Sequence, residues 1–204
     1  MKNKIAVCIF AGMMAGQVAA QEQPLTQAYW EFAGRAAITN LDSDTAKQEG
    51  VDSSAYSLGF TADYYSNVWV TSLGLDILFY DDNASFRQQV EGTGWLNNGD
   101  RSTENSDANA VVASIAFGHQ WKFAEENSVA ATLQGGYAHV FASERGISNC
   151  SNCYSEDIDI DGGMFIQATV EKDVGGWAIG AYVQQFLTGD GLNNSFGVRF
   201  SSGF

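Results

Sequence analysis

The chain is short of several things. It has 1 proline, 3 cysteines and 2 histidines, and its 10 lysines and arginines face 24 aspartates and glutamates. Proline cannot donate to a β-ladder, and Pro24 precedes every alternating stretch, so nothing bars strands from the chain beyond it. A single Cys-x-x-Cys, Cys150-Ser-Asn-Cys153, leaves no second pair for a four-ligand zinc site. A net charge of -14 argues against nucleic acid and against a basic membrane-surface helix. Beyond Ala15 no apolar run reaches the roughly eighteen residues of a helical membrane span.

What is present begins with an export signal. Lys2 and Lys4 lead an apolar core from Ile5 to Ala15, and Val18-Ala19-Ala20 supplies the small residues of a cleavage site. The core is too short to cross a bilayer, and Cys8, early within it, leaves with the signal. Residues 1–20 are therefore expected to be removed, with 21–27 a periplasmic leader and 28–204 one barrel domain. The loss of two lysines makes the mature chain more acidic still.

The remainder divides into eight stretches of alternating character. Near Tyr29–Ile38, Trp30, Phe32, Ala36 and Ile38 oppose Glu31 and Arg35. Ala55–Tyr65 sets Tyr56, Leu58, Phe60 and Tyr64 against Ser57, Gly59, Thr61 and Asp63. In Val68–Tyr80, Trp69, Leu73, Leu75, Ile77 and Phe79 share a face backed by Ser72, Gly74 and Asp76. Ala108–Trp121, Ser128–Phe141, about Ile158–Glu171, Trp177–Phe186 and Asn194–Phe204 obey the same rule. In the last of these Phe196, Val198, Phe200 and Phe204 face away from Arg199.

The connections run long, short, long, short. An even strand count puts both chain ends and the short turns on one side, with four longer polar loops on the other. That asymmetry belongs to bacterial outer-membrane barrels, with short periplasmic turns and longer extracellular loops. Trp30, Tyr64, Trp69, Trp121, Trp177 and Phe204 fall toward the turn side, and Tyr56, Phe79, Phe141 and Phe186 toward the loop side, as two aromatic girdles. A soluble sandwich or lipocalin-like barrel would reverse the faces and have to hold nearly all these aromatics inside. The sequence predicts an all-β, eight-stranded antiparallel transmembrane barrel that is a monomer.

Export signal, eight-strand rhythm, glycine-rich strands and a terminal phenylalanine together resemble the OmpA/OmpX-type family of small outer-membrane barrels. The resemblance covers essentially the whole mature chain and is closer to the OmpX-like case, since OmpA itself carries a peptidoglycan-binding domain after its barrel. It implies outer-membrane lipid and lipopolysaccharide as surroundings. It also implies a closing strand, with Phe200 and Phe204 as its signal, that the barrel-assembly machinery reads. Neither catalysis nor a cofactor is implied; the expected roles are envelope integrity and loop contacts such as adhesion, shielding or cation bridging. A lipid A-modifying enzyme and a narrow porin-like channel are the alternatives.

Site residues are read from the faces. Glu31, Arg35, Asp63, Asp76, Glu171 and Arg199 point inward, where charges in so narrow a barrel must be paired or hydrated. Cys150 and Cys153, exported through an oxidising compartment, are expected to form a disulfide in the third loop. Asp157-Ile-Asp-Ile-Asp-Gly162 matches half of a calcium loop, but its twelfth position is Ala168, not glutamate. Asp157, Asp159 and Asp161 are thus weak metal candidates, and the competing reading is that the strand simply continues upward through Ile158 and Ile160. Acidic loop residues such as Asp42, Asp44, Asp52, Asp81, Asp82 and Asp107 offer further sites for divalent cations. His119 reads as a girdle residue, and His139 with Ser143 lacks the spacing of a hydrolase pair.

Overall fold

The computed structural model describes residues 28–91, 101–123, 128–148 and 150–202. The signal, the leader, the 124–127 turn and Phe204 lie outside the described residues. The elements in order are β1 (Tyr29–Leu41), α1 (Ser43–Glu49), β2 (Val51–Ser66), β3 (Trp69–Asp82), β4 (Arg87–Glu91), β5 (Arg101–Asn105), β6 (Asp107–Phe123), β7 (Val129–Gly146), β8 (Ser155–Asp157), β9 (Gly163–Asp173), β10 (Trp177–Phe186) and β11 (Leu192–Ser202).

Eight of these strands close a barrel. β1, β2, β3, β6, β7, β9, β10 and β11 each pair antiparallel with the next, and β11 returns to β1. Phe32 opposes Ser202 at one end of that closing seam and Leu41 opposes Leu192 at the other. Closure leaves no unpaired barrel edge, which a structure surrounded by hydrocarbon requires.

The side chains sort by parity, and the sorting settles which face meets lipid. Leu75, Ile115 and Phe200 are 50–54% exposed, while Asp76 and Arg199 on the alternate positions are 7% and 5% exposed. An apolar outside around charged insides is the reverse of a soluble barrel and is the fold of a transmembrane β-barrel. Trp30, Tyr64, Trp69 and Trp177 stand exposed toward the turn side, and Tyr56, Phe79 and Phe141 toward the loop side.

The turn side is tight. Asn67 takes a positive φ of 57° in the β2–β3 turn, and Gly175 accepts the same region between β9 and β10 while donating its N–H to Asp173 at 2.8 Å. The loop side carries more structure than its polar composition suggests. Asp42 caps α1 by accepting from the amides of Asp44 and Thr45, and Gly50 ends it at φ 68°. β4 and β5 form a separate hairpin within the long second loop.

Three expectations are corrected here. The strand after the third loop starts at Gly163, not near Ile158: the backbone of 158–162 leaves the ladder, and Ile158 and Ile160 turn inward to 4% exposure each. Phe186 is no girdle residue but lies inside, its ring 5.8 Å from that of Phe165. The inward face is predominantly polar on the turn side and predominantly apolar toward the loops. Toward the loops, Leu78, Val112, Ala138, Phe165 and Phe186 fill the lumen together with Ala46 of α1 and with Ile158 and Ile160.

Candidate functional site

The lumen is the candidate site, and it has two storeys. On the turn side each arginine is set into the wall beside a glycine. Arg35 on β1 lies opposite Gly59 on β2, which in turn lies opposite Asp76 on β3. The guanidinium reaches over that gap to Asp76, its Nε donating at 2.6 Å and its Nη2 donating to the second carboxylate oxygen. A Cβ at Gly59 would overlap the Asp76 carboxylate. The Tyr182 ring backs Arg35, with its centroid 5.8 Å from Cζ.

The same construction recurs on the other side of the closing seam. Arg199 on β11 lies opposite Gly180 on β10, which lies opposite Glu171 on β9. Arg199 Nε is 2.7 Å from Glu171 Oε1, and its Nη2 donates to Glu31 at 3.0 Å and to Asp63 at 2.8 Å. A Cβ at Gly180 would strike the Glu171 side chain. Arg199 thereby joins the closing strand to β1, β2 and β9. Arg35 and Arg199 are themselves direct ladder partners, a repulsive arrangement unless each turns to its own carboxylates. All six inward charges expected from the sequence are therefore brought into two groups.

Uncharged polar side chains complete this storey. Gln134 donates to Ser72 Oγ at 2.7 Å, and nearer the loops Thr39 and Ser195 share a hydrogen bond of 2.9 Å across the seam. Above the Arg35–Asp76 pair a cavity of about 20 Å³ lies beneath Leu78, Val112, Phe186 and Leu192. That is room for about one water molecule. Beyond it the apolar core fills the barrel.

The loops are fastened over this core. Arg145, 3% exposed, donates from Nε to Asp82 at 2.7 Å and from Nη2 to the Glu49 carbonyl at 2.7 Å, tying β7 to β3 and to the end of α1. Glu49 in turn accepts from the Asp159 amide at 3.0 Å, and Leu192 donates its N–H to the Asp161 carbonyl at 3.1 Å. The hairpin is held by Gln88, which donates to the Asn152 carbonyl and accepts from the Tyr154 amide, and by Phe86 edge-on to Tyr154. Cys150 and Cys153 form the expected disulfide, with Cα atoms 5.4 Å apart.

Other expected candidates are not brought together. Among the described residues no three His, Cys, Asp or Glu side chains are placed to hold a metal ion, and Asp157, Asp159 and Asp161 stand outward and exposed. His139 is exposed on the outer wall, whereas Ser143 Oγ is buried on the inner side. The cause is a bulge: Val111 pairs with Ala142 and Val112 with Val140, so the face of β7 switches at Phe141. The same switch aims Arg145 inward, and it is why period-two counting passes over that residue. His119 sits between Trp69 and Trp121 on the outer wall, its ring 4.4 Å from that of Trp121. Phe200 is exposed on the closing strand as expected of a lipid-facing residue.

Comparison with protein-family models gives no match, and comparison with curated protein sequences gives none. Among solved structures, the chain is similar to the crystal structure of neisserial surface protein A (NspA), with 11% identity and a TM-score of 0.49 over 88% of this chain and 100% of that one.

Proposed function

We propose that this protein is a non-enzymatic, non-conducting barrel of the bacterial outer membrane, of the OmpX-like kind, that acts through its outer loops and through the stiffness it lends the envelope. On this reading a cleavable signal exports it, and its closing strand hands it to the barrel-assembly machinery. Lipopolysaccharide surrounds the outer half of the monomer. The loops then serve adhesion, shielding or bridging to that lipid through divalent cations.

The observation that carries the reading is the apolar fill of the outer half of the lumen, to which the loops contribute Ala46, Ile158 and Ile160. A hydrated ion would have to pass a largely apolar fill whose few polar side chains, such as Thr39 with Ser195 and Arg145 with Asp82, are already paired with one another, at a desolvation cost that fill does not repay. What remains accessible is the loop face, where the hairpin and the disulfide loop are fastened to each other. Ordered loops on a rigid scaffold are the usual arrangement for recognition.

Planar-bilayer recording tests it. The purified chain is expected to give no steady conductance; sustained single-channel currents would favour the porin-like alternative and sink this one. Lipid A from cells with and without the gene should have the same mass, since a gene-dependent acyl change would make the protein an enzyme. Protease added to whole cells should cut within the second loop, around Asp81–Asp107.

A further inference from the structure

The Cys150–Cys153 link is not what closes the loop that carries it. That loop is the tip of a hairpin already joined below: Gly146 pairs with Ser155, and Ile147 donates its N–H to the Tyr154 carbonyl at 3.2 Å. A cross-link between residues three apart also constrains the unfolded chain least. Neither cysteine belongs to the apolar core; Cys153 is exposed and Cys150 half-buried. An exposed disulfide that stabilises so little is of the labile kind, open to exchange with thiols.

Its position gives such an exchange a consequence. Among the described residues β4 and β5 pair only with each other, and what ties them to the third loop lies between or beside the two sulfurs. Ser151 donates to the Glu91 carbonyl at 3.3 Å, and the Asn152 carbonyl accepts from Gln88. Tyr154 donates to Gln88 at 3.1 Å and meets Phe86 edge-on, with ring centroids 5.2 Å apart. The surroundings also select the thiol. From Ile147 to Gly162 the chain carries Glu156, Asp157, Asp159 and Asp161, all exposed, and no lysine or arginine. Arg87 and Arg101 of the hairpin are matched by Glu91 and Glu104. Such a field repels an anionic reagent and draws in a cationic one.

We infer that Cys150–Cys153 is a thiol–disulfide exchange site for small cationic or uncharged thiols, and that its reduction unfastens the β4–β5 hairpin. The inference rests on the reading of the loops as the acting part of the molecule. A thiolate attacks Cys150 Sγ, the S–S bond breaks, and its electron pair leaves on Cys153. The Cys150 amide, which donates to Cys153 Sγ at 3.2 Å, stabilises negative charge on that leaving sulfur. Cys153 then takes a proton from water. A second thiolate attacks the small-molecule sulfur of the mixed disulfide, and Cys150 leaves and is protonated in turn. Two small thiols are oxidised to one small disulfide, and the protein disulfide is reduced by two electrons. With the link open, Ser151, Asn152 and Tyr154 are no longer held in one turn against β4.

Reduction of the full chain, folded in detergent at low salt, tests this with cationic cysteamine and anionic mercaptoethanesulfonate. Each rate is read by alkylation and intact mass and divided by that thiol's rate with an uncharged model disulfide. Cysteamine is expected to be about tenfold faster after that correction, alkylating Cys150 and Cys153 while the barrel keeps its folded migration on unboiled gels. Protease should then cut the second and third loops severalfold faster, and the oxidised form, cystamine, should restore slow cleavage. A link that resists both thiols until the barrel unfolds, equal corrected rates, or cleavage that ignores reduction overturns the inference. The Cys150→Ser, Cys153→Ser variant cannot exchange and should be cut fast with or without thiol; cleavage that still responds to thiol there overturns it too. If that variant does not fold, the wild type decides alone. Steady currents in planar bilayers would sink the loop reading by itself, since exchange and release are read from mass and cleavage.

Discussion

The two storeys of the lumen fill the same narrow tube with opposite chemistry. Toward the turns, a few long charged side chains cross the barrel, each standing on a strand and reaching over a glycine. Toward the loops the fill is short and apolar, and part of it comes from chain that has left the wall. The difference is one of specificity against bulk. Buried ion pairs add little net stability over an apolar fill, but a broken one is very costly. A one-residue slip of β11 would therefore drive Arg199 into lipid and strand three carboxylates, so the charged storey fixes the register of the closing seam. The apolar storey tolerates rearrangement and sets how well the tube is sealed.

Removing one partner from the charged storey should have the largest effect. Arg199→Met leaves Glu31, Asp63 and Glu171 without their common cation, and we expect a loss of about 3–5 kcal/mol in urea unfolding followed on unboiled gels. Adding Glu31→Gln, Asp63→Asn and Glu171→Gln should recover most of it. If the quadruple variant stays as weak as the single one, the guanidinium contributes packing and not charge.

The apolar storey should yield next. Leu78→Ala opens a cavity beside the one already above Asp76, and a loss of roughly 2–5 kcal/mol is expected from calorimetric or urea unfolding. The same variant should flicker in planar bilayers where the parent is silent. Undiminished stability would mean that the loops, rather than the wall residues, make the seal.

A finer test separates the glycines. Gly59→Ala places a methyl against the Asp76 carboxylate and 2.7 Å from the Leu75 carbonyl oxygen, while Gly34 on the same sheet has nothing within 4 Å. We expect Gly59→Ala to cost about 1–3 kcal/mol and Gly34→Ala to be near neutral, both read from unfolding midpoints. Equal effects would show that strand flexibility, not room for the ion pair, is what the inward glycine provides.

How much of this was legible in the residues depends on how far period two holds. Trp30, Phe32, Leu75, Ile115 and Phe200 alternate against Glu31, Asp76 and Arg199 without interruption, so the wall, its polarity and six lumen charges come out of counting. What counting cannot see is partnership. Gly59 and Gly180 carry no signal that each separates an arginine from its carboxylate, because those partners are set by ladder register across strands. It also fails where the ladder breaks. The bulge at Phe141 turns Arg145 inward, and the irregular backbone at 158–162 turns Ile158 and Ile160 inward. A β-rule applied across either break puts them on the wrong face. The capping signal of α1 was present in Asp42 and Gly50, but seven residues between two strands give little periodicity to detect.

The smallest effect should come from the part of the loop side that lies above both storeys. Cys150 and Cys153 close a link of three residues at the outer surface, beside a hairpin whose β5 is exposed throughout. None of these residues belongs to the apolar core. The double variant Cys150→Ser, Cys153→Ser should therefore leave the unfolding midpoint within about 0.5 kcal/mol of the parent, as is usual for exposed positions. The gain should appear locally instead: the Gln88–Asn152 and Phe86–Tyr154 contacts depend on how the disulfide loop is held, so protease should cut the second and third loops faster while the barrel stays folded. Loss of more than about 2 kcal/mol, well beyond the usual surface effect, would mean that the fastened loops reach down into the seal and that the platform and the apolar storey are one cooperative unit. An unchanged cleavage rate would leave the hairpin, not the disulfide, as what orders the outer surface.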